Sequence, residues 1–355
     1  MTIIIFDGAE MRKVLILLTL VNTGIAIAGD VRVKGMGNVD LNLRDTERDC
    51  FDRPFYLNDV RNSVVIGGLG LDIYDKPNDE GVYQWGAAYS QTGIRSEAGY
   101  IAKPNMMGTA FAIKAIANTG NNYNIAHDYA VISLRAAQKL GFLGIGAGYD
   151  RMVDDRQNYQ QGILGGAIGR PGNKMSFNFR FSAIDPNSSV SSIDLIWERQ
   201  LCPWFGFGVK GLKLWDNDKL DEYYRFGAGL RIGIPKLSTD IYSEGGIRKY
   251  KKENDLINEL EEKEAFSYFG RMGIETWIRP WWALRGGMSN VLLDKILLSQ
   301  DNNVENGEAI FSMGTTLKIK DRINIEYSYE YIQNEFEMFT CYHRKSQSLK
   351  VLLEM

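Results

Sequence analysis

The sequence is poor in the residues that carry most covalent and metal chemistry. It has two histidines, His127 and His343, and three cysteines, Cys50, Cys202 and Cys341, in 355 residues. Neither histidine stands in an H-E-x-x-H arrangement or at a motif spacing from serine or cysteine, and both fall in segments that read as outer loops. The cysteines have no metal-like spacing. In an oxidising compartment they allow one disulfide and one leftover thiol, and Cys50 with Cys202 is the pairing the expected topology permits. A nucleophile elbow, a P-loop and a dinucleotide fingerprint are all missing, because the glycine-rich runs fall inside strand-like segments. No catalytic residue, cofactor or metal site is expected, and an enzyme is the last-ranked reading.

Charge of one sign is also lacking. Lys and Arg number 41 against 44 Asp and Glu, a formal charge of -3, so no basic surplus points to nucleic acid. Proline is scarce, with 8 residues against 37 glycines and 41 aromatics (7 Trp, 18 Tyr, 16 Phe), which leans all-β. The 45% hydrophobic and 24% charged content argues against a disordered chain. Beyond the N-terminus no apolar run approaches the roughly 18 residues of a transmembrane helix.

At the N-terminus, "MRKVLILLTLVNTGIAIAGD" begins at Met11 with a basic flank, Arg12 and Lys13. An apolar run, Val14 to Val21, and the small-x-small Ala26-Ile27-Ala28 follow. This is the form of a secretory signal peptide occupying 1–28, with Met11 as the expected start and cleavage after Ala28. The apolar run is too short to remain as a membrane anchor.

What the exported part has is alternation. In "DRINIEYSYEYI", Ile323, Ile325, Tyr327, Tyr329 and Tyr331 take one parity, while Arg322, Asn324, Glu326, Ser328 and Glu330 take the other. Successive strand side chains point to opposite faces, so this is a strand with one apolar and one charged face. "KMSFNFRFSA" (174–183), "YRFGAGLRIG" (224–233), "YFGRMGIETWI" (268–278) and "EAIFSMGTTLKI" (308–319) repeat the pattern. Each such run is about ten residues, longer than the usual five to six.

Connections between them alternate in kind. Tight turns read at 102–106, 138–141, 169–174, 200–204, 233–237, 278–282 and 318–322. Longer polar segments fall near 118–128, 151–160, 185–191, 216–222, 248–264, 292–307 and 333–345. Short turns on one rim and long loops on the other describe a transmembrane antiparallel β-barrel of the outer-membrane kind. Fourteen strands are expected between Met106 and Met355. Two more are expected in 62–73 and 82–102, where "QTGIRSE" reads as an extra turn or a kink. The expectation is therefore fourteen to sixteen strands over 62–355, with both ends on the tight-turn rim. Residues 29–61 read as a periplasmic or lumen-plugging segment, and 249–264 as a short helix within a loop. A secreted β-sandwich is the competing fold.

In such a barrel the apolar parity meets lipid and the polar parity lines the lumen. The lumenal candidates are Arg180, Arg225, Arg231, Arg271, Glu275, Arg285, Glu326 and Glu330, with Lys210, Asp194, Glu198 and Asp240 beside them. They line a water-filled passage or form ion pairs that hold a plug. Gly144, Gly146 and Gly148 share the lumenal parity, which makes room for a neighbour or a passage, or simply permits strand curvature. Trp204, Trp281 and Trp282 near one rim, and Trp215, Tyr223, Tyr224 and Tyr331 near the other, suit membrane–water interfaces.

Two resemblances add to this reading. "SQSLKVLLEM" is similar to the terminal strand by which outer-membrane barrels are recognised for insertion, with Met355 where an aromatic is usual. "VKGMGNVDLNLRDTERDCFDRPFYLND" resembles the opening of barrels in the broad FadL/PorV superfamily. Gly35, Gly37 and Asn38 match its Gly-x-Gly segment, and Phe55 to Asn58 match its aromatic-Asn element without the usual Pro-Ala. The resemblance implies a fourteen-stranded barrel with an N-terminal hatch, here carried by Gly35, Gly37, Asn38 and Asn58. Its members pass hydrophobic molecules across the outer membrane or assist surface-protein export. The expected role is an outer-membrane channel or transporter of small molecules, and the alternative is a non-conducting scaffold or export partner. Outer-membrane lipid, an unidentified small solute and the barrel-assembly machinery are the expected partners.

Overall fold

The computed structural model describes Arg32, Met36, Leu41 and residues 46–75, 90–121, 129–154, 158–170, 172–184, 189–216, 222–252, 263–293, 307–320, 322–336 and 340–355. The signal-peptide segment, Gly35, Gly37, Asn38 and His127 lie outside them. Sixteen strands run in order: β1 (Val64–Asp75), β2 (Ser90–Ile101), β3 (Thr109–Asn121), β4 (Tyr129–Leu140), β5 (Leu143–Asp154), β6 (Asn158–Arg170), β7 (Asn173–Ile184) and β8 (Ser189–Cys202). They continue as β9 (Phe205–Asp216), β10 (Glu222–Ile234), β11 (Thr239–Lys252), β12 (Lys263–Arg279), β13 (Trp282–Leu293), β14 (Gly307–Ile319), β15 (Ile323–Phe336) and β16 (Thr340–Glu354). Each pairs antiparallel with its neighbours in sequence, and β1 closes on β16 from Val64↔Glu354 to Asp75↔His343. Closure leaves no open edge, which a lipid setting would penalise heavily. The seam is completed at the rim, where the Met355 N–H donates to the Ser63 carbonyl at 2.9 Å.

The barrel falls within the expected range of strand number, at its upper end. β2 runs unbroken through Gln91–Glu97, so the extra turn read there is absent. The tight connections stand as read. Gly141, at φ 64, supplies the left-handed residue of the β4–β5 turn. The opposite rim is corrected. Strands of 12 to 17 residues climb further than ten-residue strands would, so only 155–157, 185–188 and 337–339 separate pairs that read as joined by longer loops. His343 therefore lies in β16, paired with Asp75 and Gln333, and not in a loop. The helix read over 249–264 is likewise cut back. Lys249–Lys252 and Lys263–Glu264 extend β11 and β12, and 253–262 lie outside the described residues.

The alternation sets which face is which. Met175, Phe177, Phe179 and Phe181 of β7 are exposed outward, while Lys174, Ser176, Asn178 and Ser182 between them are buried. The same split recurs on β10 and β12–β15. Trp204 and Trp281 stand exposed at the tight-turn rim. No helix among the described residues is long and apolar enough to cross a membrane. The apolar core lies inside the ring. There α1 (Thr46–Asp52) and a 3-10 turn (Pro54–Asp59) carry Cys50, Phe51, Phe55, Tyr56 and Leu57 against Ile66, Ile101, Ala110, Ala112, Ala137 and Ala167 of the wall. Alanines on the inward parity leave the width that these larger side chains fill.

Candidate functional site

The site is the lumen together with the segment seated in it. Glu47 of α1 is 1% exposed; its carboxylate meets Lys350 Nζ of β16 at 2.5 Å and Lys114 Nζ of β3 at 3.4 Å. Burial alone would favour its neutral form, but the two ammonium groups outweigh that and hold its carboxyl well below the usual carboxylate range. Lys350 is fully buried, so the pair is dry at both ends. Arg32, which lines one small cavity together with Glu47, meets Glu275 of β12 through two hydrogen bonds, 3.1 and 2.6 Å long, a bidentate geometry. Glu275 also takes Arg285 Nε at 2.7 Å.

The C-terminal end of α1 is held by its carbonyls. Arg135 Nε donates to Phe51 O at 2.6 Å while its guanidinium pairs with Asp150 at 2.7 Å. Asn178 Nδ2 and Arg180 donate to Asp52 O at 2.6 and 3.0 Å. These are last-turn carbonyls with no partner inside the helix, so the wall supplies what the backbone lacks. Beyond α1, Lys174 of β7 pairs with Asp59 and stands over the Tyr56 ring at 4.1 Å, and Asn58 donates to Gln138 O at 3.4 Å.

Close approach of backbone to backbone decides two wall positions. A Cβ at Gly146 would stand 2.6 Å from the Pro54 carbonyl carbon, and one at Gly273 would stand 2.6 Å from Met36 O. Only glycine lets the inner segment sit this near the strands. The run Gly144, Gly146, Gly148 thus makes room for neighbours: Asn58, Pro54 and Phe55, and the Arg135 side chain respectively.

The sequence candidates on the wall form ion pairs. Arg180 pairs with Asp194 at 3.2 Å, Arg225 with Glu244 at 2.8 Å and Arg231 with Asp240 at 3.1 Å. Arg271 reaches Glu244 at 3.9 Å. Arg285 lies 3.9 Å from Glu326 and donates to the Thr316 hydroxyl; Glu330 is buried higher on β15. Arg180 and Glu275 also touch the inner segment. The two larger cavities beside that segment lie at its two ends. One of about 850 Å³ opens at the tight-turn end, lined by Tyr56, Asn58, Lys139, Lys174 and Glu354 among others. One of about 430 Å³ lies on the other side, against Phe51, Arg53, Arg135, Gln161, Arg180 and Arg271.

Sequence reading missed the residues that do the clamping: Arg32, Glu47, Lys114, Arg135, Lys174 and Lys350. The wall members carried a usable signal, a charge on the inward parity. Arg32 and Glu47 carried none, because their segment has no periodicity. The Cys50–Cys202 pairing is corrected. The two are not joined in a disulfide; Cys50 is packed in the cluster under α1, and Cys202 ends β8 at the rim past a register shift.

No protein-family model matches the sequence, and no curated protein matches it significantly. Solved structures match in fold. They include a bacterial polysaccharide outer membrane secretin (TM-score 0.56, 7% identity, 84% of this chain and 100% of that one). They also include the TodX deltaS2S3 mutant monoaromatic hydrocarbon channel (0.50, 11%, 93% and 99%). CdiB from Acinetobacter baumannii matches at 0.50 and 8% identity over 82% of this chain, which spans 60% of that one. Identities this low carry the fold alone. The fourteen strands implied by the superfamily resemblance are corrected to sixteen. In fold the chain is a closed antiparallel β-barrel of sixteen strands, like those solved outer-membrane barrels, with residues 46–59 inside the lumen.

Proposed function

We propose that the protein is an outer-membrane channel for small solutes, exported by its N-terminal signal, in which the segment around 46–59 closes the lumen and must shift for passage. The observation that carries this is the pair of cavities on either side of α1, each lined by polar groups and separated by that one segment. Space lined by polar side chains at both mouths is what a passage interrupted by a plug requires, and a packed structural core has no need of it. The wall supplies shape and charge; no covalent step is involved. We assign β16, whose Leu349, Val351 and Leu353 face outward, to recognition by the assembly machinery.

The second reading, a non-conducting scaffold or export partner, is favoured by the density of anchors on the inner segment. Conductance of the full chain in planar bilayers separates the two. The channel reading expects small or flickering current that rises severalfold when residues 30–57 are deleted. A deletion variant that inserts and stays sealed overturns it and leaves the scaffold.

A further inference from the structure

The space between α1 and the outer rim is strongly cationic. Arg48 and Arg53 of the inner segment and Arg135, Arg180, Lys210 and Arg271 of the wall line the 430 Å³ cavity, against two carboxylates, Asp52 and Asp150. Several of these cations have acidic partners behind them: Asp49 for Arg48, Asp194 for Arg180 and Glu244 for Arg271. Those carboxylates are not among the lining residues, so the described lining carries more positive than negative groups.

A second observation lies just above. Arg225 of β10 and Arg248 of β11 are directly opposed in register. Arg271 of β12 joins them around the Phe269 ring, the three guanidinium carbons standing 4.2, 5.2 and 5.6 Å from its centroid for Arg225, Arg248 and Arg271. Like charges directly opposite in a sheet are destabilising, and ring contacts offset only part of that. Glu244 takes Arg225 at 2.8 Å and Arg271 at 3.9 Å. Among the described residues no carboxylate pairs with Arg248, and its buried Nε makes no hydrogen bond there. A buried guanidinium N–H without an acceptor is costly, and an incoming oxyanion removes that cost.

We propose that the outer half of the lumen is an oxyanion-binding vestibule, in which Arg248 and Arg271, with the cations above α1, take a carboxylate- or phosphate-bearing solute. The inference deepens the channel reading and rests on it for the solute's onward passage, though not for its binding. Arginine forks match the planar and tetrahedral oxygens of such groups, and low dielectric at the mouth of a closed lumen strengthens each contact.

Calorimetric titration of the full chain in detergent at low salt, with inorganic phosphate and with succinate as probes, tests it. Saturable binding of at least one probe is expected. Arg248→Gln should weaken it about tenfold, the worth of one charge-assisted contact, while thermal unfolding stays unchanged or rises because a repulsion is lost. Arg248→Lys should keep most of the affinity, and Lys318→Gln, near the opposite rim, should leave it unchanged. Absence of binding by both probes, equal binding by Arg248→Gln, or an equal loss in Lys318→Gln overturns the proposal. A chain that binds phosphate in this pattern yet passes no solute removes the channel and keeps the vestibule. One that conducts without binding does the reverse.

Discussion

Phe179 and Arg180 are neighbours in β7 and answer to different partners. Phe179 projects outward with its ring exposed on the barrel wall. Arg180 turns inward to Asp194 and to the Asp52 carbonyl of a segment more than a hundred residues upstream. The outer face needs only to be apolar along its length, because a fluid hydrocarbon layer accepts any such side chain. The inner face needs particular groups at particular heights, because it meets a folded segment with its own charges and carbonyls. One strand therefore carries a tolerant code and an exacting one on alternate residues.

That contrast is most sharply broken at Glu47. Glu47→Gln removes the carboxylate that Lys350 and Lys114 share, a loss of about 3–5 kcal/mol for breaking a buried pair. The expected result is fast hydrogen exchange over 46–59 with the barrel's heat-resistant electrophoretic form retained. Next comes the outer face. Phe179→Arg places a cation near mid-depth and should cost about 2–4 kcal/mol of stability in bilayers, read by urea unfolding. Arg180→Gln, one residue on, should leave insertion intact and loosen only the inner segment. Smaller again are the glycines. Gly146→Ala forces the Pro54–Phe55 backbone to move, about 1–3 kcal/mol of overpacking, seen as exchange in the 3-10 turn. Gly162→Ala, with open space at its Cβ, should stay within about 0.5 kcal/mol.

The smallest effect is that of mild acid. A carboxyl held below its ordinary value stabilises the docked state at all pH above that value, and the contribution is lost only as pH falls through the depressed one. Protection of 46–59 should therefore be flat from neutral pH down to 4.5, the ordinary carboxyl value, and fall only in stronger acid. Loss of protection between pH 7 and 5 would show that Glu47 is not the residue holding the segment.

These differences also mark what was legible beforehand. The outward residues of β7, β10, β12, β14 and β15 could be read from parity alone, since lipid imposes one rule everywhere. Strand ends were misjudged on the rim opposite the tight turns, because polar residues outside the membrane level suit strand and loop equally; Lys249–Lys252 and His343 are cases. Gly146 could be placed on the inner face, but nothing local says that Pro54 and Phe55, some ninety residues earlier, occupy its missing Cβ space. Glu47 and Arg32 sit in an aperiodic stretch, and their partners Lys350 and Glu275 are identified only when the ring closes. Cys50 and Cys202 looked pairable from the expected topology, but Cys50 is packed in the cluster under α1 and Cys202 ends β8 at the rim.

A cysteine scan of residues 175–182, spin-labelled one at a time in the full chain reconstituted into liposomes, tests the two-faced wall most directly. At 175, 177, 179 and 181 the labels should relax with lipid-soluble oxygen and ignore a water-soluble nickel chelate. At 176, 178 and 182 they should be shielded from oxygen and become accessible to the chelate only when Glu47→Gln is added, while at 180, on the outer cavity, the chelate should reach the label without it. Uniform nickel accessibility along the scan, or oxygen contact at the even positions, would contradict a lipid-facing wall around a plugged lumen.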